Sequence, residues 1–553
     1  MPSVDTASAI LESLDALGVT HVLYCPGSRS APFAYALEAG SFRGDARPIL
    51  DERGAGFAAV GLARTGGLPA IVVTSGTAVA ELAPAVLEAS HARLPLLLLT
   101  ADRPGELRGV GASQATDQSG FFGTHVRASV DLEPQEASPS LVGHLARAVA
   151  AACGAPSGAP GPVQVNVAFR DPLTPVRPAC DCGDEAGASF VPRPTRVLAA
   201  PAVPVPWEDV VGPAAAGLIV AGEGASPRAR EWSAASGFPL LAEPASGAWS
   251  GGGVTPFEQT LVASSLGSEV DAVVVTGRPT LSRPIQALLA RPDVRVVVVD
   301  PHAPWVDISG NAAVVVADLE PAREPIRAAQ AEWAARVRDA AREAGERIES
   351  LLASGSGRTM LDLARAVAAS TSGPLVLGAS NPVRAFDLAV PALGGRVVHS
   401  NRGQAGIDGT IATAVGICLG SGYAGEASAS EGERVTAVIG DLTACHDASS
   451  LALAASAGAH LDIVVADDQG GGIFATLEHG CATSPEAYER WFGLAQSVDY
   501  EALAAAYGVA FARAETPAQL AQLLETGEAG PRLVHAPVER AAHLYPALRD
   551  VLS

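Results

Sequence analysis

The chain has 553 residues and a formal net charge of −22, so it is too long for one hydrophobic core and too acidic for a general nucleic-acid or anionic-membrane surface. The length predicts about three domains. Any anionic ligand must be bound by a local group of basic side chains, because the protein as a whole repels it.

The N-terminal segment carries acidic residues and no basic stretch, so we predict an amphipathic helix there and not a secretory signal. No apolar run approaches the ~20 residues that a membrane-spanning helix needs. The seven cysteines are scattered and odd in number, and the only close pair, Cys180 and Cys182, does not by itself indicate a metal site. These features predict a cytoplasmic protein.

Short apolar runs alternate with helix-like segments over residues 1–185. The runs mostly end in Gly, Pro, Ser or Asp, and they are HVLYCPG, PIL, PAIVVTSG, PLLLLTADRP and PVQVNV. Alternation of this kind predicts a parallel α/β sheet. The proline-rich stretch 172–209 interrupts the pattern, and we interpret it as a linker that crosses the surface.

Two further α/β units follow along the chain. The central unit, residues 186–350 with the preceding linker, contains the apolar runs GLIVAGEG, VDAVVVTGRP and VRVVVVDP. The last unit, residues 351–553, contains PLVLGAS, RVVHSN, VTAVIGD, LDIVVADD and PRLVHAP. The sequence therefore predicts an α/β protein of three doubly wound parallel-sheet domains with the bounds 1–185, 186–350 and 351–553.

Carboxylates follow two of the apolar runs in the last unit, at the point where each predicted strand ends. Asp441 and Asp468 are 27 positions apart, which leaves room for one crossover helix and a return strand, so we expect neighbouring strand ends. Ligands of open parallel sheets bind at these carboxyl ends. Asp441, Asp468 and the carbonyl of Gly470 are the oxygen ligands that Mg²⁺ prefers. The alternative is that each acid only caps the following helix or turn.

The same stretches resemble the metal–diphosphate motif of thiamine-diphosphate enzymes, which usually consists of Gly-Asp-Gly and an asparagine pair. This chain has Gly440-Asp441-Leu442 and Asp467-Asp468, so leucine and aspartate replace two of the usual residue types, and the oxygen ligands remain. The resemblance implies thiamine diphosphate together with Mg²⁺, with Mn²⁺ as the alternative metal. It assigns the metal to Asp441, Asp468 and Gly470, and further cofactor contacts to Gly440, Leu442 and Gly471.

Glu52 opens a predicted helix whose next turns are nearly all glycine and alanine, in DERGAGFAAVGLAR. Glutamate is favoured in a first helical turn by the helix dipole, so this position alone leaves a structural role open. If thiamine diphosphate is bound, its aminopyrimidine ring needs a carboxylate at N1′, and Glu52 is the candidate for this catalytic and cofactor-binding role. The small side chains would let either a flat ring or a neighbouring helix pack closely.

Seven segments in the same order closely resemble one family of thiamine-diphosphate enzymes, the 2-succinyl-5-enolpyruvyl-6-hydroxy-3-cyclohexene-1-carboxylate synthases. The segments are CPGSRSAPF, DERGAGFAAVGLAR, TSGTAVAELAPAVLEA, LTADRPGELRGVGASQATDQ, SNRGQAGIDGTIATAVG, GDLTACHD and GGGIFATLEHG. The resemblance implies a transferase of menaquinone biosynthesis that joins 2-oxoglutarate to isochorismate with loss of CO₂. It also implies a homodimer or homotetramer whose active sites lie between chains.

Both implied substrates are dicarboxylates, so the site should be rich in arginine, hydroxyl and amide groups. The family's substrate-binding positions match Ser28, Arg29, Arg103, Gln114, Ser380, Arg384, Arg402 and, less closely, Arg283. Its apolar contacts match Ile407, Ile473 and Phe474 at the cofactor, with Phe474 and Leu477 also towards substrate. Surface ion pairs are the alternative for each arginine alone, and ordinary core packing is the alternative for the apolar residues.

Two other functions stay open at this point. One is another thiamine-diphosphate lyase, similar to acetohydroxyacid synthase, acting on pyruvate. A monocarboxylate would leave arginines of the site unpaired, at a cost of ~1–3 kcal/mol each. The other is a non-catalytic nucleotide-binding protein of the same fold. Such a binding module has no use for Glu52 in a dry pocket.

Overall fold

The computed structural model describes residues 3–175, 192–249, 252–391, 393, 395–421, 433–527 and 529–553. Cys180, Cys182 and part of the predicted linker lie outside these ranges. The described part of the linker over 192–204 forms neither helix nor strand, as its proline content predicts.

The first sheet has six strands, β1 (His21–Tyr24), β2 (Asp45–Pro48), β3 (Pro69–Val73), β4 (Leu96–Asp102), β5 (Ala128–Leu132) and β6 (Pro162–Ala168). Their order across the sheet is β2-β1-β3-β4-β6-β5, and neighbouring strands are parallel. Four of the five predicted runs coincide with strands, and the run PIL overlaps β2 only at Pro48.

Helices cover both faces of the first sheet, and they are α1 (Ser3–Ala16), α2 (Ala31–Glu38), α3 (Glu52–Arg64), α4 (Thr77–Glu81), α5 (Ala83–Ala92) and α6 (Pro139–Ala152). Alternate residues of β3 pack on opposite faces: Ala70 and Val72 join the core that includes α1 and α6, whereas Ile71 and Val73 join the core that includes α3 and α5. Burial on both faces explains why the strand has an uninterrupted apolar sequence.

The second sheet has five strands, β7 (Gly217–Ala221), β8 (Leu240–Ala242), β9 (Ala272–Thr276), β10 (Arg295–Val299) and β11 (Ala312–Val316). Their order is β11-β10-β9-β7-β8, again with parallel neighbours. The accompanying helices are α7 (Trp207–Val210), α8 (Ala229–Ser236), α9 (Glu258–Ala263), α10 (Ser265–Glu269), α11 (Arg283–Leu289) and α12 (Ala328–Ala353).

The third sheet has six strands, β12 (Leu375–Leu377), β13 (Val398–His399), β14 (Val435–Gly440), β15 (Leu461–Asp467), β16 (Ala510–Arg513) and β17 (Arg532–Pro537). Its helices are α13 (Met360–Ser370), α14 (Asn381–Ala389), α15 (Thr410–Gly420), α16 (Asp441–His446), α17 (Ser450–Ser456), α18 (Gly472–Ala475), α19 (His479–Ala482), α20 (Pro485–Tyr488), α21 (Tyr500–Tyr507), α22 (Pro517–Glu525) and α23 (Leu544–Arg549).

The order of the third sheet, β13-β12-β14-β15-β17-β16, repeats that of the first sheet strand for strand. In both sheets the order reverses between the first strand of the sheet in chain order and the third. The predicted α/β class with three parallel sheets is therefore confirmed. Ligands of such sheets bind in the crevice where the strand order reverses, which points to the ends of β1 and β3 and of β12 and β14.

The chain divides into two compact units. The first contains Met1–Ala200 with Ile411–Glu431 and Ser449–Ala457, and the second contains Pro201–Thr410, Gly432–Ala448 and Gly458–Ser553. The three sheets fall within the three predicted domain ranges, whose bounds stay a prediction. None of the helices formed by the described residues has the length and apolar character needed to cross a membrane.

Candidate active site

The two predicted metal carboxylates stand at adjacent strand ends of the third sheet. β14 and β15 are parallel neighbours, and Gly440 pairs with Ala466 in their register. Asp441 is the first residue of α16, and Asp468 follows the last residue of β15. The expectation of neighbouring strand ends, which came from the interval between the two acids, is confirmed.

Burial raises the pKa of both acids. Asp441 is buried, its Oδ1 accepts a hydrogen bond from the Leu442 backbone N–H at 2.8 Å, and its Oδ2 has no hydrogen-bond partner in the described part of the chain. Its pKa rises to about 6, first through burial and further through the Asp467 carboxylate. The pKa of Asp468 rises to about 7 through burial and the nearby Asp441. A bound cation would relieve the repulsion between these carboxylates.

The glycine run after β15 is required by close backbone contacts. Gly470 has a φ of +123°, and a Cβ atom there would lie 2.0 Å from the carbonyl oxygen of Gly493. The Gly471 N–H donates to the same oxygen at 2.6 Å. The loop therefore packs directly on the π-helical turn Glu489–Gly493, and glycine is the residue that allows it.

Two long-range contacts fix this loop, and the sequence did not reveal either. The Arg540 guanidinium donates to the backbone carbonyls of Asp468, at 2.6 Å, and of Gln469. The Asp467 carboxylate accepts from the Gln469 N–H at 3.0 Å and is hydrogen-bonded to the His535 ring, which lowers the pKa of Asp467. Both partners lie about 70 positions further along the chain, outside any recognisable motif.

The arrangement suits a hard divalent cation. Two carboxylates and the Gly470 carbonyl would supply oxygens, and one of the carboxylate oxygens is buried without a partner among the described residues. No group of three or more His, Cys, Asp or Glu side chains able to hold a metal occurs in the described ranges. A cation here would thus depend on backbone and ligand oxygens in addition to the two acids.

Glu52 is the first residue of α3, and the helix does not need it as a cap. Asp51 is the N-cap, and its side chain accepts from the Gly54 N–H at 3.0 Å. The pKa of Glu52 is raised, mainly by burial and further by Asp51 and Glu81. An open cleft of about 510 Å³ is lined by Asp51, Glu52, Arg53, Thr74, Thr77, Ala78, Glu81 and Gln114. The cleft brings two predicted site residues, Glu52 and Gln114, together.

The glycine and alanine face of α3 packs against another helix. A Cβ atom on Gly61 would lie 2.1 Å from the Thr413 carbonyl, and one on Gly416 would lie 2.0 Å from the Ala58 carbonyl. Of the two partners that the small side chains could accept, a ring or a helix, the structure shows helix α15.

Arg103 and Gln114 form one polar cluster at the end of β4. Arg103 Nη1 donates to Ser75 Oγ at 2.5 Å and to the Gln114 carbonyl at 2.6 Å, and Gln114 Nε2 donates to the Ser75 carbonyl at 2.9 Å. These contacts stabilise Gln114 in a left-handed backbone conformation with a φ of +54°.

Ser28 and Arg29 follow β1 in the same compact unit. Ser28 is exposed, and Arg29 Nη1 donates to the Phe169 carbonyl at 2.9 Å. Burial lowers the pKa of Arg29, and the nearby charge of Arg103 contributes to the shift. The four predicted substrate residues of this unit thus lie around the carboxyl ends of β1, β3 and β4.

A buried polar network supports the loop that carries Gln114, and it was not predicted. Gln118 is fully buried, and its Nε2 donates to the Ala101 carbonyl at 3.1 Å and to Asn166 Oδ1 at 2.8 Å. Its Oε1 accepts from the Gly76 N–H at 3.3 Å. The polar residues inside the run PVQVNV were the available signal, since buried polar groups need partners.

Arg384 and Arg402 converge on one carbonyl in the second unit. Ser380 is the N-cap of α14, and Arg384 Nη1 donates to its carbonyl at 2.8 Å and to that of Ala379 at 3.1 Å. Arg402 Nη1 donates to the Ala379 carbonyl at 3.3 Å. Burial lowers the pKa of Arg384 to about 10, and the nearby Arg402 contributes. The arginine pair stands at the predicted crevice beyond β12.

The remaining predicted residues are less enclosed. Arg283 is exposed and forms an ion pair with Glu478, with 2.9 Å between Nη1 and Oε1. Phe474 packs against Phe492 at 5.7 Å between ring centroids, and Ile473 and Leu477 beside it are half-buried. Ile407 is half-buried in the turn before α15. The assignment of all these residues to cofactor or substrate stays a prediction.

Two family models match the chain. Residues 4–121 match the thiamine pyrophosphate enzyme N-terminal TPP binding domain, and residues 388–536 match the C-terminal TPP binding domain. The matches cover the sheet ends that carry Glu52 and the acid pair. Together with the parallel sheets, they define a thiamine-diphosphate enzyme.

The chain is also similar over nearly its full length to proteins named 2-succinyl-5-enolpyruvyl-6-hydroxy-3-cyclohexene-1-carboxylate synthase. It is 42% identical to the one from Kineococcus radiotolerans, over 96% of this chain and 95% of that protein. It is 39% identical to those from Renibacterium salmoninarum and Nocardioides sp., with 98% and 97% of this chain covered and 95% of each relative. The chain belongs to this synthase family.

Proposed function

We propose that the protein joins 2-oxoglutarate to isochorismate with loss of CO₂, giving the product in the family name, and that Mg²⁺ acts with thiamine diphosphate. The observation that carries the proposal is the pair Arg384 and Arg402, which shares the Ala379 carbonyl beyond β12. Two convergent guanidinium groups suit a substrate with two carboxylates. A monocarboxylate such as pyruvate would leave one of them without an anionic partner.

Asp441, Asp468 and the Gly470 carbonyl would hold the metal ion beside the cofactor diphosphate. The buried Asp441 carboxyl, whose pKa is raised by burial and by Asp467, supports this role, because a cation would offset the repulsion between the neighbouring acids. The contacts of Arg540 and Asp467 keep the loop in place so that the Gly470 carbonyl is held relative to the two acids.

Glu52 would exchange a proton with N1′ of the aminopyrimidine ring. Its raised pKa favours this role, because a carboxyl group that is partly desolvated holds its proton closer to neutral pH than an exposed one. When bound, thiamine diphosphate supplies the carbon nucleophile that attacks the 2-oxo acid and carries the electrons left by CO₂.

The arginines would bind and orient the carboxylates of the substrates. Arg384 and Arg402 are already fixed by backbone carbonyls, so little side-chain entropy is lost when a carboxylate binds. Arg29 and Arg103 are fixed in the same way by the Phe169 and Gln114 carbonyls. Because these guanidinium groups are already held in place, they can stabilise negative charge on a bound substrate without first changing their own positions.

Product formation from 2-oxoglutarate and isochorismate, measured with and without thiamine diphosphate and Mg²⁺, tests the proposal. We expect product only when both are present, and pyruvate should not replace 2-oxoglutarate. Turnover with pyruvate at a comparable kcat/KM would contradict the assignment and favour the acetohydroxyacid-synthase-like alternative.

A matched pair of variants tests the arginine assignment. Arg384→Gln should raise the KM of a substrate much more than it weakens cofactor binding. Arg396→Gln is the control, because Arg396 is also buried with a pKa lowered to about 10. Among the described residues it donates to Thr371 and to the carbonyls of Ala368 and Gly373. The control should lower stability and leave KM unchanged. An equal rise of KM in both variants would contradict the role of Arg384.

A further inference from the structure

Three buried carboxyl groups, which we call the acid cluster, lie in the same compact unit as Arg384 and Arg402. Glu243 follows β8, Glu258 is the first residue of α9, and Asp387 lies on α14 one turn after Arg384. Their exposed fractions are 2%, 2% and 3%. None of them belongs to the predicted metal, cofactor or substrate residues.

Hydrogen bonds fix two members of the acid cluster. Glu243 Oε1 accepts from the Leu281 N–H at 2.6 Å, and Asp387 Oδ2 accepts from the Gln259 side chain. Both oxygens of Glu258 are buried without any hydrogen-bond partner in the described part of the chain. A charged carboxylate in that position would be very costly, so Glu258 is neutral.

The acid cluster adjoins the arginine pair: Arg402 Nη2 donates to Thr280 Oγ1 at 3.2 Å, next to the Leu281 N–H that donates to Glu243, and Asp387 shares α14 with Arg384. With Glu258 neutral, Glu243 and Asp387 are the members of the cluster that can carry negative charge beside Arg384 and Arg402. The Nε of Arg402 is likewise buried without a partner among the described residues. A dicarboxylate that binds to the arginine pair would itself offset the two positive charges, and any charge on Glu243 and Asp387 would then be in excess.

We propose that Glu243 and Asp387 take up a proton when a dicarboxylate binds to Arg384 and Arg402, so that the buried charge stays close to balance. The inference rests on the proposed function, because that function gives the arginine pair to a substrate carboxylate. No covalent step is involved, and the proton comes from solvent.

The ionisation of the cluster near neutral pH supports this linkage. Burial raises the pKa of Glu243 to about 8 and that of Asp387 to about 7, while Arg402 acts on both in the opposite direction. Burial also raises the pKa of Glu258 far above its usual range. An anion at the arginines would cancel their effect and raise the pKa of Glu243 and Asp387 further.

Other charged and titratable groups face the cluster from the surrounding elements. Glu223 pairs with Arg278 at 2.9 Å, and Arg278 also donates to the Arg402 carbonyl at 2.8 Å, so this pair adds no net charge. Tyr545 on α23 is buried, and its raised pKa keeps it neutral. His399 lies on β13, which contacts the turn Pro244–Ser246 that follows Glu243.

The sign of the pH dependence follows from the linkage. The complex holds more protons than the free protein, so the affinity for the dicarboxylate is highest at low pH and falls as the pH rises through the range of the free cluster. For an uptake of about one proton, the affinity should fall up to about tenfold per pH unit between about pH 7 and about pH 8.

Calorimetric titration of the holoenzyme with glutarate, a dicarboxylate that lacks the reactive keto group, tests the proposal. The same titration in two buffers with different ionisation enthalpies gives the number of protons taken up. We expect about one proton at about pH 7.5 in the unchanged protein. Asp387→Asn keeps the acceptor for Gln259 and should reduce the uptake by more than about half, because Asp387 has the lower pKa and is the more ionised acid in the free protein. Glu243→Gln keeps the acceptor for Leu281 and should reduce the uptake by a smaller part.

Glu258→Gln is the control, because it replaces a carboxyl group that is neutral in both states and should leave the proton uptake unchanged. Glutarate binding without proton uptake in the unchanged protein would overturn the linkage and leave the proposed function intact. Failure of glutarate to bind would also overturn it. Failure to form product from 2-oxoglutarate and isochorismate would instead overturn the proposed function, and the inference with it.

Discussion

At the scale of single residues, two adjacent aspartates after β15 have different surroundings. Asp467 is hydrogen-bonded to His535 and to the Gln469 N–H, and its pKa is lowered. Asp468 has its pKa raised by burial and by Asp441. Asp467 is thus held by two protein donors, so we assign the metal to Asp468 and not to its neighbour.

This difference predicts unequal effects of substitution. Asp441→Ala or Asp468→Ala should weaken Mg²⁺-dependent binding of thiamine diphosphate by more than about 100-fold, because a metal oxygen is lost beside a charged diphosphate. Asp467→Ala should have a smaller effect, through the position of the loop alone. Titration of the cofactor at fixed Mg²⁺ measures the three affinities. Equal losses of cofactor affinity in Asp467→Ala and Asp468→Ala would contradict the assignment of the metal to Asp468 and not to Asp467.

Glu52 gives a second prediction at this scale. Glu52→Gln keeps the shape of the side chain but cannot exchange a proton with the cofactor, so turnover should fall by about 10²–10⁴-fold. The fold should survive, because Asp51 provides the helix cap. Steady-state rates and circular dichroism report the two effects. Glu81→Gln, a change in the same cleft, should retain most of the turnover; near-normal turnover of Glu52→Gln would refute the assignment.

At the scale of elements, close helix packing explains the composition of α3. Gly61 and Gly416 each face a carbonyl of the other helix at a distance that leaves no room for a Cβ atom. The small residues that accompany the catalytic candidate are thus accounted for by the contact between α3 and α15.

The packing predicts opposite effects for the same substitution in two helices. Gly61→Ala should destabilise the protein by about 1–3 kcal/mol, because the added methyl group forces α3 and α15 apart. In the part of the chain that the structure describes, the methyl group of Gly143→Ala in α6 would meet the end of the Arg147 side chain at 3.5 Å, and this variant should stabilise the protein by about 0.5–1 kcal/mol. Thermal unfolding of both variants measures the difference. A stabilised Gly61→Ala variant would contradict the close contact.

At the scale of the whole molecule, the residues proposed for the two ends of the cofactor belong to different compact units. Glu52 lies in the first unit, and Asp441 and Asp468 lie in the second. In the family that the sequence resembles, these ends come from different chains of a two-fold dimer. We therefore propose a homodimer, or a tetramer built from such dimers, with shared active sites.

Mixing of two inactive variants tests this assembly. If the sites form between chains, a dimer of one Glu52→Gln and one Asp441→Ala subunit has one doubly damaged site and one intact site. Random pairing after unfolding and reassembly should then restore about a quarter of the unchanged activity. If each site forms within one chain, every site stays damaged. Absence of recovery, once mixed dimers are shown to form, would rule out shared sites.

Much of the fold could be predicted from the sequence, because parallel strands buried on both faces leave apolar runs that are visible locally. The four strands that were not predicted, β5, β8, β11 and β16, all lie at the edges of their sheets. β5, β11 and β16 are partly exposed, and β8 has only three residues. An edge strand that is partly exposed or short often has a weaker apolar signal, although the edge strand β13 was predicted from the run RVVHSN.

For the candidate site, the sequence by itself determined where Asp441, Asp468 and Glu52 lie, at two strand ends and a helix start, and their roles stay a prediction. Only the tertiary structure decided what surrounds them. Arg540 reaches the metal loop from 72 positions further along the chain, and Gln118, close to Gln114 in sequence, is hydrogen-bonded to Asn166, 48 positions away. Contacts of this kind arise from chain topology and from the need to satisfy buried polar groups, and neither leaves a pattern in the local sequence.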